Sequence, residues 1–131
     1  MDREKLVTLY KKYELSETDV YKHKHYVIIT RQGIEKIAAK ENIAISYEVV
    51  KCEPSFAVIK AYAHIIDKPD IQIETFGSAL KGANYKDGNC NSWYVMEMAE
   101  KRALSRSVLK LTGFYELGVF GEDESDDFKR K

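Results

Sequence analysis

The stretch that decides the fold runs from residue 43 to residue 76 and reads IAISYEVVKCEPSFAVIKAYAHIIDKPDIQIETF. In its first part Ile43, Ile45, Tyr47 and Val49 alternate with Ala44, Ser46, Glu48 and Val50. A period of two suits a half-buried strand, because successive side chains point to opposite faces. Glu53-Pro54-Ser55 reads as a turn, residues 56–66 as a nearly continuous apolar and aromatic strand, and Asp67-Lys68-Pro69-Asp70 as a second turn. Residues 71–76 alternate again, with Ile71, Ile73 and Thr75 against Gln72, Glu74 and Phe76. Short turns make consecutive strands antiparallel. A three-stranded antiparallel meander is therefore predicted, with residues 56–66 buried at its centre.

Helical patterns flank it. Leu6, Leu9, Tyr10 and Tyr13 share one helical face up to about Leu15, and this helix is expected to pack into a core. Tyr26-Val27-Ile28-Ile29 is short, apolar and β-branched, a strand or a buried linker. Thr30 is placed to cap a helix carrying Ile34, Ile37 and Ala38 to about Glu41. Beyond the meander, residues 77–91 read as a polar loop rich in glycine and asparagine. Ser92 is placed to cap a long last helix, residues 93–112, that stops at Gly113. The order predicts an α+β domain: a helix, the meander, and a long C-terminal helix on one sheet face. Its expected organisation is an N-terminal amphipathic helix (1–20), a core (21–120) and an acidic, disordered tail (121–131).

Composition narrows the function. The 131 residues suit one domain with a real core, and 44% hydrophobic residues exclude global disorder. No apolar run approaches about 18 residues, so a membrane span is not expected. The start, MDREKLVTLY, lacks the apolar core of a secretion signal. With Cys52 and Cys90 as the two cysteines, free thiols in a reducing cytoplasm are expected. Neither cysteine has a partner at zinc-ligand spacing, and His23 and His25 lack a third ligand nearby, so no metal is expected. There is no P-loop, no G-x-S-x-G elbow and no H-E-x-x-H. An enzyme is not expected, and no cofactor is.

Formal charge is zero, 21 bases against 21 acids. The zero is a cancellation between segments. Residues 21–40 hold Lys22, Lys24, Arg31, Lys36 and Lys40 against Glu35, and residues 122–127 hold five acids and no base. On the last helix Arg102, Arg106 and Lys110 fall at successive i, i+4 positions, with Lys101 beside them. Like charges at that spacing repel by a few tenths of a kcal/mol per pair, roughly, so the stripe fits either an anionic partner or a solvated face. Trp93, Tyr94 and Tyr85 lie nearby in sequence, and rings interleaved with cations suit single-stranded nucleic acid. Trp93 itself suits a core better than a stacking platform.

Residues 97–128 read EMAEKRALSRSVLKLTGFYELGVFGEDESDDF. This resembles the end of the core domain in phage single-strand-annealing proteins of the essential-recombination-function (Erf) group. Those carry an Ala/Arg-rich helix ending at a glycine, a short apolar link and an acidic cluster. The eukaryotic radiation-repair annealing ring is similar in layout: helix, antiparallel meander with a glycine near its end, and a basic helix. The resemblance covers about residues 30–128. It implies sequence-independent binding and annealing of single-stranded DNA in phage or mobile-element recombination. It implies a homo-oligomer, ring or filament, and no nucleotide or metal. Aligned on Gly113, it places Arg106 and Lys110 on a backbone-binding groove. Arg102 and Lys101 join them by helix geometry, and Lys81, Lys86, Trp93 and Arg31 complete the candidate set. The acidic stretch is left with three roles: competing for the groove in cis, recruiting a host single-strand-binding protein, or solubilising the chain. The competing class is a phage protein-interaction module with no DNA affinity.

Overall fold

The computed structural model describes residues 3–24, 26–82 and 94–122. The expectations placed on His25, Tyr85, Lys86, Cys90, Ser92, Trp93 and residues 123–131 lie outside these. The order is α1 (Arg3–Lys12), β1 (Val20–His23), β2 (Tyr26–Ile29), α2 (Arg31–Glu41), β3 (Ile43–Glu53), β4 (Phe56–Ile65), β5 (Lys68–Leu80), α3 (Val95–Thr112), one 3-10 turn (Tyr115–Leu117) and β6 (Val119–Gly121). The chain is α+β. The meander forms as expected, in the order β3-β4-β5 and antiparallel throughout, and α3 packs on one of its faces.

β4 lies at the centre, as its nearly continuous apolar run predicts, but only one of its faces is buried. Ala57, Ile59, Ala61, Ala63 and Ile65 are buried, and the residues between them are half-exposed. The third strand is longer than its alternation suggests: it runs through Gly77 to Leu80, where a polar loop was expected. Glycine here ends nothing. An added Cβ on Gly77 would sit 2.0 Å from the Ala99 carbonyl oxygen and 2.6 Å from the Ala103 nitrogen. The strand carries glycine because a helix backbone crosses it at contact distance.

That contact is built from small side chains. Ala99, Ala103 and Ser107 recur every fourth residue on α3 and meet Gly77, Thr75 and Ala79. The buried Thr75 hydroxyl lies 2.8 Å from the Ser107 hydroxyl, and both reach the Ala103 carbonyl, at 3.2 and 2.8 Å. The other side of α3 has a different neighbour. Val108 and Leu109, with Leu104 beside them, pack into a second core with Leu6, Tyr13, Ile29, Ile37 and Phe114. Leu104 and Val108, whose helical spacing predicts a face turned to the sheet, do not pack on the meander. They instead meet α1, α2 and a second small sheet, in the order β1-β2-β6. In it β6 runs parallel to β2, with Gly121 opposite Ile29.

The caps follow the local sequence. Thr30 Oγ1 accepts from the Gly33 N–H at 3.2 Å, and Gly113 ends α3 at φ 88°, a conformation that glycine adopts without steric cost. The α1 helix is held to α2 by Tyr13, whose hydroxyl donates to Glu41 Oε1 at 2.6 Å, and by Lys12 on the same oxygen at 2.9 Å. Burial, then the Glu41 bond, push the Tyr13 hydroxyl well above the usual phenol range.

Asp19 ties the connection after α1 to α2. Its carboxylate is fully buried and accepts from Lys36 Nζ at 2.6 Å, the Ser16 N–H at 2.9 Å and the Ser16 hydroxyl at 3.1 Å. Burial alone would raise its pKa, but these donors outweigh it and the carboxyl sits below its ordinary value. A lowered folded value means the contribution is complete above the unfolded carboxyl pKa and is lost as pH falls through the folded one. Asp19→Asn should therefore cost about 2 kcal/mol at neutral pH, the size of a hydrogen bond to a charged group. The difference from the parent should shrink as pH falls below the unfolded carboxyl value of about 3.9. Urea titrations at the two pH values check this, and a cost that does not change with pH would refute it.

Candidate nucleic-acid interface

The last helix packs over β5 on the covered face of the meander, and this sets where its cations go. Among the described residues only β4 pairs with β5 along its length, and carbonyls on the far side of β5 are left for other donors. Arg102 Nη1 donates to the Ser78 carbonyl and Arg106 Nη1 to the Phe76 carbonyl, each at 2.8 Å. Carbonyls two residues apart on a strand point the same way, and arginines four apart on a helix follow the same line. The stripe read from the sequence is therefore a row of guanidiniums braced on a strand edge. The braces also blunt that edge against pairing with another strand.

The candidate residues divide by exposure. Arg102 is only 5% exposed, so its guanidinium serves as a brace. Arg106 is half-buried, and Lys110, one turn on, is exposed with Nζ 5.1 Å from the centre of the Tyr115 ring. Lys101 is half-buried. Among the described residues Lys81, Lys101 and Lys110 form no salt bridge. Lys81 is exposed at the end of β5, where its N–H donates to the Ser55 carbonyl at 2.7 Å. Arg31 is exposed at the start of α2, its side chain 3.5 Å from Glu35 and its N–H on Glu122 Oε1 at 3.1 Å. The structure thus brings Arg102, Arg106 and Lys110 into one row. It sets Arg31 on a different element, α2.

The uncovered face of the meander is a different surface. Phe76, 49% exposed, lies opposite Lys60, whose Nζ is 5.7 Å from the Phe76 ring, 5.1 Å from the Tyr62 ring and 3.4 Å from Glu74. The Tyr62 hydroxyl donates to Glu48 at 2.7 Å. An open depression of about 480 Å³ at one end of this face is lined by Ser46, Tyr62, His64, Gln72 and Glu74 among others. Two carboxylates against one ion-paired lysine repel a phosphate backbone, which makes this face a poor match for one. The lysine and its rings lie outside the candidate set. Alternation in β4 and β5 marks them only as one face, without saying which face is covered.

Fold and site together define an α+β domain whose covering helix carries a cationic row along a sheet edge. Comparison with family models, with curated proteins and with solved structures finds no match. Among the described residues no helix is long and apolar enough to cross a membrane, and no cluster of His, Cys, Asp and Glu has the make-up of a metal site.

Proposed function

We propose that this protein binds single-stranded DNA without regard to sequence and promotes annealing of complementary strands, in the cytoplasm and as a homo-oligomer. The observation that carries the reading is the row of Arg106 and Lys110 at the β5 edge, with Arg102 bracing it from below. Arginine offers five donors in a fixed fork, so a guanidinium aimed by a carbonyl meets a phosphate with little further ordering. Tyr94 and Tyr115, 48% and 37% exposed at the two ends of the helix, support the reading, since exposed rings can stack on bases. Such binding is physical: cations release counterions from the strand, and no bond is made or broken. The exposed Tyr47, Val49 and Val50 on β3, whose outer edge meets no strand among the described residues, support association between copies.

The experiment is Arg106→Glu with Lys110→Glu, titrated against a labelled oligothymidylate over a salt series. Affinity should fall at least about tenfold at low salt, and the slope of log K against log salt should flatten by about 1.4. Lys22→Glu with Lys24→Glu, on the far β1 hairpin, should change neither by much. Unaltered binding by the first variant would show that the row is not the DNA site. A strict monomer by native mass spectrometry, with and without oligonucleotide, would remove the annealing mechanism. The exposed β3 edge equally favours a protein-interaction module, which predicts no single-strand affinity at physiological salt.

A further inference from the structure

The two edges of the meander are guarded differently. On β5 the carbonyls of Phe76 and Ser78 are taken by Arg106 and Arg102. On β3, residues 46–53 are exposed one after another, Val49 and Val50 at 57% and 50%, and no strand among the described residues pairs with their outer side. Unpaired amides and carbonyls beside exposed apolar side chains are a template for another strand.

The register of β3 on β4 says which strand fits. Glu48 stands opposite Lys60, Val49 opposite Ile59 and Lys51 opposite Val58, so Val50 is an extra residue with no partner on β4. Lys60 and Val58 are two apart on β4 and point to the same face, the uncovered one. The bulge therefore brings Glu48 and Lys51 onto one face, although they are three residues apart. Ser46 and Glu53, opposite Tyr62 and Phe56, share that face, and Tyr47 and Cys52, opposite Ala61 and Ala57, share the covered one.

The segment consequently matches itself when reversed. Laid antiparallel on a second copy, Glu48 meets Lys51, Tyr47 meets Cys52 and Ser46 meets Glu53, each on its own face, with Val49 and Val50 together at the centre. Opposite charges directly across a ladder attract, and the two-fold symmetry forms both Glu48–Lys51 pairs at once. A register with Glu48 opposite Glu48 sets like charges together and is disfavoured. Within one copy Lys51 is 3.4 Å from Glu53, an exposed pair that is easily exchanged. A bulge and a lysine blunt an edge against chance partners. Here they admit a strand that carries the same bulge and an acid three residues before its lysine.

We propose that β3 is the interface of a two-fold dimer, pairing antiparallel over residues 46–53 with β3 of a second copy. The contact rests on the homo-oligomer of the proposed function, which it specifies, and needs no DNA. An axis normal to the sheet joins the meanders in the order β5-β4-β3-β3-β4-β5 and keeps both α3 helices on one face, their basic rows at the outer strands.

The test is a charge swap on the full chain, read by sedimentation velocity over a concentration series. Glu48→Lys alone sets two lysines at each crossing and Lys51→Glu alone two glutamates, so each should weaken the dimer at least about tenfold. A mixture of these two variants restores opposite charges at both crossings and should return to within about threefold of the parent's dissociation constant. The double variant Glu48→Lys with Lys51→Glu restores them too and should dimerise like the parent. A parent that stays monomeric would overturn the contact, and the oligothymidylate titration then reports separately whether single strands are still bound. An assembly that both single variants leave intact would place the interface elsewhere and overturn the contact, while the homo-oligomer would stand. Dissociated single variants that do not associate on mixing would overturn the register, and with it the proposal.

Discussion

Gly77→Ala should cost at least about 4 kcal/mol, a loss reserved for a few kinds of single substitution. The new methyl carbon would fall 2.0 Å from the Ala99 oxygen and 2.6 Å from the Ala103 nitrogen. Those two atoms are partners in one turn of the α3 backbone ladder, so the clash has no flexible side chain to give way. Relief requires lifting α3 off β5, which opens the small-residue core of Ala99, Ala103, Ala61 and Ala79 along its length. It also pulls Arg102 and Arg106 from the carbonyls of Ser78 and Phe76. Ordinary overpacking costs about 1–3 kcal/mol, and this case exceeds it because both partners are main chain. Equilibrium denaturation measures the loss. Ala103→Gly should not rescue it, because that change removes only the 3.0 Å side-chain contact. A Gly77→Ala protein within about 1 kcal/mol of the parent would mean that α3 does not cross β5 this closely.

Phe114→Ala is the second large effect, at about 3–5 kcal/mol. The ring is fully buried where α1 meets the end of α3, with centroids 6.3 Å from Tyr10 and 5.9 Å from Tyr13. Its removal leaves a cavity lined by side chains from α1, α3 and β6, none of which can collapse without moving its own element. Hydrogen exchange should speed up first in α1, which Phe114, Leu109 and the Tyr13–Glu41 bond hold in place. The meander amides should be affected less, since their core is the separate alanine-rich one. Uniform acceleration through both sheets would show one cooperative core instead of two.

Much of the fold is legible from the chain because it is written in local periodicity. Two-residue alternation marked β3 and the middle of β5, a nearly continuous apolar run marked β4, and Thr30 and Gly113 marked helix ends. The end of β5 was not legible. Glycine with asparagine nearby signals a loop unless a backbone is known to pass overhead, and that neighbour lies more than twenty residues away in sequence. The pairing of β6 with β2 was hidden for the same reason: three residues carry no strand pattern of their own.

The candidate site divides along the same line. Spacing alone determined that Arg102, Arg106 and Lys110 form one row, because 3.6 residues per turn is a property of any helix. Spacing could not say which member of the row faces water. That was decided by the β5 edge, whose carbonyls at Phe76 and Ser78 take a guanidinium each and bury Arg102 while leaving Lys110 exposed. Periodicity tells a side chain its direction from its own axis. The neighbour it meets in that direction is set by the rest of the chain, and only the tertiary structure holds it.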